Sequence, residues 1–583
     1  MTNSEQTSLS RRNWLGQLSA ASLGSGLLAV ATVPAQASDS PAADDRNLGA
    51  RTYNVREFGA KGDGVTLDSA AVQAAIDACN KDHGGMVLIP AGVFVIGPIE
   101  MKSNVTLHIS AGGTLLGTDD GKQYHAVDAI PLRGDSTLGD GNVGLIFAVK
   151  AENFTIEGPG TIDGNGNKFH SPGPGQPTPA GISGAHRPYH ILIHQCQNFR
   201  IRDVFMKDSA FHSIRIIQSM FVKLDGIRIH SRVTHNNDGF HFISAQHVHL
   251  SNCTIQCQDD ACALFGSCKF ITVTNCSFST RWSVFRFGGG EAENISVSNC
   301  LIYETYGCPI KMRCGPGARF ENISFSNIVM NKVTGPISIS LGARGFRRPA
   351  TAIAASPEAG TPPFDPNAPE QPGLPARPGI VRNITFQGIL ATVVVPVALS
   401  DAFPSHYNPG EIKSCIALNA TGDTVIENIN LSDIHVTFAG GGTAEEAAVR
   451  DVPQITGEYY AAGVLPAYGL FARNVRGLTM QNVRFEVSSP ELRPAMVFDH
   501  VEDAAVNGFS AQGDKGAESL LRFINSRDVL LTAARILKPA PVFLQVEGAN
   551  NSCITVDGGD LSKAGAPLAL KSGATADAVK LRV

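Results

Sequence analysis

The sequence predicts an all-β chain wound as a right-handed parallel β-helix, closed at its N-terminal end by one helix. Three observations carry that expectation. Short segments of alternating apolar and polar residues recur with starts 22 to 28 residues apart between 199 and 323. Each is too short to form a domain, so it must bury its inner face by stacking on neighbours. The chain holds 60 Gly in 583 residues and only 17% charged residues, which suits strands joined by tight turns. A single amphipathic segment, residues 68–81, has helical spacing.

Taken in order, residues 1–37 read as an export leader. Arg11-Arg12 precedes Leu15 to Val33, a moderately apolar stretch without charge, and Ala35-Gln36-Ala37 supplies a small-residue cleavage site. The reading is a twin-arginine signal peptide, with periplasmic or secreted location. Residues 38–51 are a linker and 52–583 one β-helix domain. Val72, Ala75, Ile76 and Cys79 fall on one face of the expected cap helix, with Asp68 as its N-cap. Phe199 to Val204, Phe221 to Ile229, Val248 to Ile255, Ile271 to Phe278, Ile295 to Ile302 and Ile323 to Val329 alternate as half-buried strands do. Ile384 to Thr392, Ile426 to Val436, Leu478 to Val487 and Val529 to Ile536 continue the pattern. Residues 345–379, rich in Pro and Ala, and 440–466, opening on three glycines, break the repeat as loop inserts.

Net charge is −5, so attraction to nucleic acid is not expected, and an acidic ligand must be held by a local basic patch. Cys253, Cys276 and Cys300, each after an Asn, are expected to stack as small inward residues and not to form disulfides. Cys257 and Cys262 lack a second Cys or His pair at zinc spacing, so no metal or other cofactor is expected.

The densest polar cluster is Asn236-Asn237-Asp238-Gly239 with Gln258-Asp259-Asp260. Asp260 follows Asp238 by 22 residues, one coil, which places three carboxylates in a common patch. Neighbouring carboxylates cannot all ionise freely, so one can donate a proton while another activates water, as glycosidic cleavage requires. Aspartates are also ordinary turn residues.

These residues resemble glycoside hydrolase family 28, the polygalacturonase family. Tyr53 to Gly64 (Tyr-Asn-Val-Arg-Glu-Phe-Gly-Ala-Lys-Gly-Asp-Gly) resembles the entry to many pectin-active β-helix proteins, Asn236-Asn237-Asp238 the family's Asn-Thr-Asp, and Asp259-Asp260 its Asp-Asp. The resemblance spans about 52–345 and implies the pectin-lyase-like fold. It implies Asp259 as general acid, with Asp238 and Asp260 deprotonating water in one inverting displacement, the acid and base roughly 6.5–9.5 Å apart. Two motifs depart. Ser279-Thr280-Arg281-Trp282-Ser283 stands where Gly-His-Gly is expected, and Pro309-Ile310-Lys311 where Arg-Ile-Lys is. His235, Arg281 or Arg313 are the candidate replacements. Leu465 to Leu470 and Arg493-Pro494-Ala495 resemble a bacterial subgroup.

Arg286, Lys311 and Arg313, one and two coils past Asp260, are candidate holders of a uronate carboxylate, or simply balance the aspartates. Trp282 is a candidate sugar platform or a packed turn residue. Asn236 and His235 complete the expected substrate contacts. His241, His247 and His249 read as solvent-facing or hydrogen-bonded. The expected function is a secreted, monomeric glycoside hydrolase whose partner is a uronate-containing polysaccharide. Two alternatives stay open: a Ca²⁺-dependent polysaccharide lyase or epimerase, and a non-catalytic carbohydrate-binding β-helix.

Overall fold

Parallel pairing runs the length of the chain, from Thr52↔Met86 to Ile554↔Val579. The computed structural model describes residues 49–124, 143–169, 187–234, 236–342, 378–395, 413–455 and 461–583. Its strands form a right-handed β-helix in which every coil hydrogen-bonds to the coils above and below. Gln246–Ser251 shows why: Val248 and Leu250 are buried while His249 between them is exposed, and the same positions pair with Val222 and Leu224 below and Ile271 and Val273 above. Burial on one face fixes the register, because a slip of one residue would turn every apolar side chain outward.

The turns repeat as faithfully as the strands. Asn104, Asn153 and Asn198 adopt positive φ, as do Asn294, Asn322, Asn383 and Asn428. Asparagine tolerates this region better than other residues with a Cβ, and its amide can both donate and accept. Asn153 Nδ2 donates to Asn104 at 3.3 Å and Asn198 to Asn153 at 2.6 Å. Further up, Asn322 donates to Asn294 at 3.3 Å, Asn383 to Asn322 at 3.1 Å and Asn428 to Asn383 at 3.1 Å. Inside the coils, phenylalanines stack: Phe154 on Phe199 at 4.9 Å and Phe325 on Phe386 at 5.4 Å. Cys253, Cys276 and Cys300 stack as the sequence suggests, all three buried and unbridged.

The helix spans Ser69–Lys81 and buries Val72, Ala75, Ile76 and Cys79. Asp68 stands at the N-cap position as expected, its carbonyl accepting from the Val72 N–H at 3.0 Å, but its side chain makes no capping bond. Its carboxylate is drawn to the Gly-rich turn instead, accepting from the N–H groups of Lys61 at 2.7 Å and Gly62 at 2.9 Å. The insert at 345–379 lies almost entirely outside the described residues. Within 440–466 a short helix, Ala444–Ala448, carries a Thr443/Glu446 capping box. This segment is strapped to the coils by Arg473, which donates to the Val452 and Pro453 carbonyls at 2.7 and 3.0 Å. Beside it the buried Arg493–Glu491 pair closes at 2.9 Å. No helix of the described residues is long and apolar enough to cross a membrane.

Candidate active site

The register places the aspartates. Ile214, Phe240, Cys262 and Phe285 pair in successive coils. Counting back two residues aligns His212, Asp238, Asp260 and Ser283 in one row, and Asp238 and Asp260 are both buried. Counting forward one residue gives a second row, Arg215, His241, Ala263, Arg286 and Lys311. A third row holds Gly288 and the half-buried Arg313. Adjacent coils sit about 4.8 Å apart, so chemistry distant in sequence becomes contiguous along the solenoid.

The turn carrying Asp238 is built by Asn237. Its carbonyl accepts from the N–H groups of Val233 and Thr234 at 3.1 and 3.0 Å, and its amide donates to the Ser209 and Phe211 carbonyls at 2.8 Å each. A buried, fully bonded side chain of this kind fixes the loop rather than contacting solvent. Asn236 is held between Arg187, which donates to its oxygen at 3.3 Å, and Asp259, which receives its amide at 3.3 Å. Asp259 also accepts from the Asp260 N–H at 2.8 Å and is the most exposed of the three carboxylates. Thr280 donates to the Asp259 carbonyl oxygen, and Ser283 donates to Asp260. Arg286 Nε lies 3.9 Å from Asp260.

Asp238 has the most unusual surroundings. His241 Nδ1 lies 2.6 Å from its Oδ2 and His212 Nε2 lies 3.7 Å from the same oxygen, with the two imidazoles stacked at 4.4 Å. Burial pushes the Asp238 carboxyl well above the usual carboxylate range, Asp259 and Asp260 add repulsion, and Arg215 opposes them. Burial likewise pushes both imidazoles well below their ordinary value, and Arg215 adds to this at each. The Asp238–His241 hydrogen bond therefore joins a carboxyl biased toward its protonated form to an imidazole biased toward its neutral form. His212, Asp238 and His241 offer ligand atoms within 4.8 Å of one another, two of which are already joined by that hydrogen bond.

The structure thus brings together Asp238, Asp259, Asp260, Asn236, Trp282, Arg286 and Lys311. Lys311 Nζ sits 4.3 Å from the Trp282 ring centroid, so one face of the half-buried indole carries a cation. Gly307 makes room for this arrangement, since a Cβ there would meet the Trp282 backbone at 2.9 Å. His235 lies outside the described residues. The sequence reading missed Arg187, whose guanidinium lies 4.4 Å from the Phe211 ring centroid, and Arg215, which approaches His212 at 3.4 Å. It also left His212 and His241 outside the site. The spacing of His241, three residues after Asp238 on an outward strand position, was the available signal.

Residues 79–342 match the family model described as glycosyl hydrolases family 28. A polygalacturonase of Malus domestica is 26% identical over 302 residues, covering 50% of this chain and 62% of that protein. An exo-poly-alpha-D-galacturonosidase of Dickeya chrysanthemi is 30% identical over 254 residues, covering 36% and 41%. The chain therefore spans about two fifths to just over three fifths of the length of these curated relatives. The crystal structure of an exopolygalacturonase from Thermotoga maritima superposes with a TM-score of 0.52 at 19% identity, covering 75% of this chain and 92% of that one, which shows a shared fold.

Proposed function

We propose that the protein, whose residues 79–342 match the model of glycosyl hydrolases family 28, is a member of that family and hydrolyses glycosidic bonds of a uronate-bearing, pectin-type polysaccharide with inversion of configuration. The observation that carries this reading is the alignment of Asp238 and Asp260 in adjacent coils, with Asp259 beside them, next to the row that carries Arg286 and Lys311 in the following coils.

In the proposed reaction Asp259, the carboxyl most open to the groove, gives its proton to the leaving glycosidic oxygen. Water attacks the anomeric carbon from the opposite face and loses a proton to Asp260, with Arg286 beside it and Ser283 orienting it. Asp238, tied to His241, completes the cradle for that water. The C–O bond to the leaving sugar breaks as the C–O bond to water forms. Arg286 and Lys311, one and two coils further, match the planar carboxylate of a uronate, with Arg313 on the neighbouring row. Trp282 and Asn236 border the same groove. The tracts Leu465 to Leu470 and Arg493 to Ala495 support a bacterial subgroup, and the Arg11-Arg12 leader supports export by the twin-arginine route.

The test is to follow products from pectic and related polysaccharides by NMR, with and without chelator. The expected result is a saturated reducing end of inverted anomeric configuration, formed equally in chelator. An ultraviolet-absorbing unsaturated product, or retained configuration, would overturn the proposal.

A further inference from the structure

The asparagine ladder is broken in three consecutive coils, and the residues that break it are aromatic. Phe199 pairs with Val222, Val222 with Val248, Val248 with Ile271 and Ile271 with Ile295. The residue before each is the ladder position, which therefore reads Asn198, Phe221, His247, Phe270, Asn294. Phe221, His247 and Phe270 keep the positive φ of the asparagines, at 57°, 52° and 58°. That conformation disfavours a bulky side chain, whereas asparagine would adopt it readily and would join the amide chains ending at Asn198 and beginning at Asn294. Core packing does not account for the exchange, because Phe221 is 53% and Phe270 46% exposed. The rings stand in a stack, Phe221 on His247 at 5.0 Å and His247 on Phe270 at 4.8 Å, within 16° of parallel.

Charge lies beside the stack. Two residues past the ladder position, on the same outward side of the strand, stand Arg200, Lys223 and His249, all exposed. Arg200 and Lys223 form no ion pair among the described residues. Lys269, at the upper flank, is already occupied by Glu291 at 2.6 Å and Glu293 at 3.5 Å. The stack sits on the strand that follows the groove strand, Ile214–Ile217, around the turn at Gln218 and Ser219. It is therefore a surface separate from the aspartates, carried by the same coils.

We propose that Phe221, His247 and Phe270, with Arg200 and Lys223, form a second carbohydrate-binding surface that holds a uronate-bearing chain outside the cleaving groove. Exposed aromatic rings pack against the apolar faces of sugar rings, and the two cations pair with their carboxylates. The inference rests on the uronate substrate proposed above.

The test restores the ladder. A Phe221→Asn/His247→Asn/Phe270→Asn variant places in these coils the residue that already occupies the position below and above, so it is expected to fold with a melting temperature no lower than the parent. Retention on insoluble polygalacturonic acid is measured with a saturating short oligouronide filling the groove. Retention is expected to fall at least tenfold, with turnover of the short oligouronide unchanged. Arg200→Glu/Lys223→Glu, which leaves the ladder intact, is expected to act likewise and covers the case in which the triple variant does not fold. Parent-like retention by either folded variant overturns the second surface while leaving the cleavage reading standing. Absence of both cleavage and retention in the parent overturns the two together.

Discussion

Replacing Asp259 with asparagine removes the proposed proton donor while disturbing little else. The Asp260 N–H, now 2.8 Å from Asp259 Oδ1, finds an equivalent acceptor in the amide oxygen. The other side chain oxygen becomes an NH₂ facing the Asn236 amide, which cannot turn over because its oxygen is held by Arg187. Losing the hydrogen bond to Asn236 costs about 1 kcal/mol, so the variant is expected to remain folded. Loss of general acid catalysis is worth about 10²- to 10⁴-fold, or about 3–5 kcal/mol in the barrier. The assay compares kcat on polygalacturonate with kcat on an aryl uronide whose leaving group departs without a proton. The polymer reaction is expected to collapse and the aryl reaction to be largely spared. Equal loss on both substrates would refute the assignment and transfer the donor role to Asp238, while a loss below tenfold on the polymer would remove a carboxylic acid at this position from the mechanism altogether.

Two further outcomes follow from burial. Asp238 has a folded-state pKa raised above its unfolded value, so the proton it keeps favours the folded state fully below that unfolded value and progressively less as pH rises toward the folded one. Asp238→Asn mimics the protonated form, and its melting temperature relative to the parent should climb between pH 4 and pH 8; a constant difference across that range would contradict the raised pKa. Glu491→Gln leaves the buried Arg493 guanidinium without its counter-charge, and the stability loss should be about 3 kcal/mol by chemical denaturation. That is the low end for such pairs, because Arg493 still donates to the carbonyls of Lys413, Leu465 and Ala467. A loss under about 1 kcal/mol would show that those carbonyls carry the anchor alone.

What the sequence disclosed depended on how many consecutive residues displayed one periodicity. Gln246–Ser251 and Met220–Asp225 alternate between interior and water over six positions and were legible. The groove strands, such as Ile214–Ile217 and Phe240–Ile243, are four residues long, and their outward Ile217 and Ile243 pack into a small apolar cluster with Tyr189, Leu192 and Phe211. Alternation is erased where both faces are covered. The three carboxylates were legible because one coil separates Asp238 from Asp260 and the intervening residues are few. His212 was not assigned to the site because the coil between it and Asp238 is longer than the one from Asp238 to Asp260, and only the fixed pairing of Ile214 with Phe240 aligns it with Asp238. Asp68 shows the converse: the sequence marks a carboxylate just ahead of a helix, but nothing local reveals that a neighbouring glycine turn will capture it.

Ser338 pairs directly with Ala417, and Asn419 with Arg473, although long stretches of chain leave and return between the partners. Each floor of the tower is laid level on the one beneath regardless of how far the chain wanders before it comes back. Excursions can therefore be lengthened, exchanged or grafted between relatives to redecorate the margins of the groove, while the cost and gain of adding a floor stay the same.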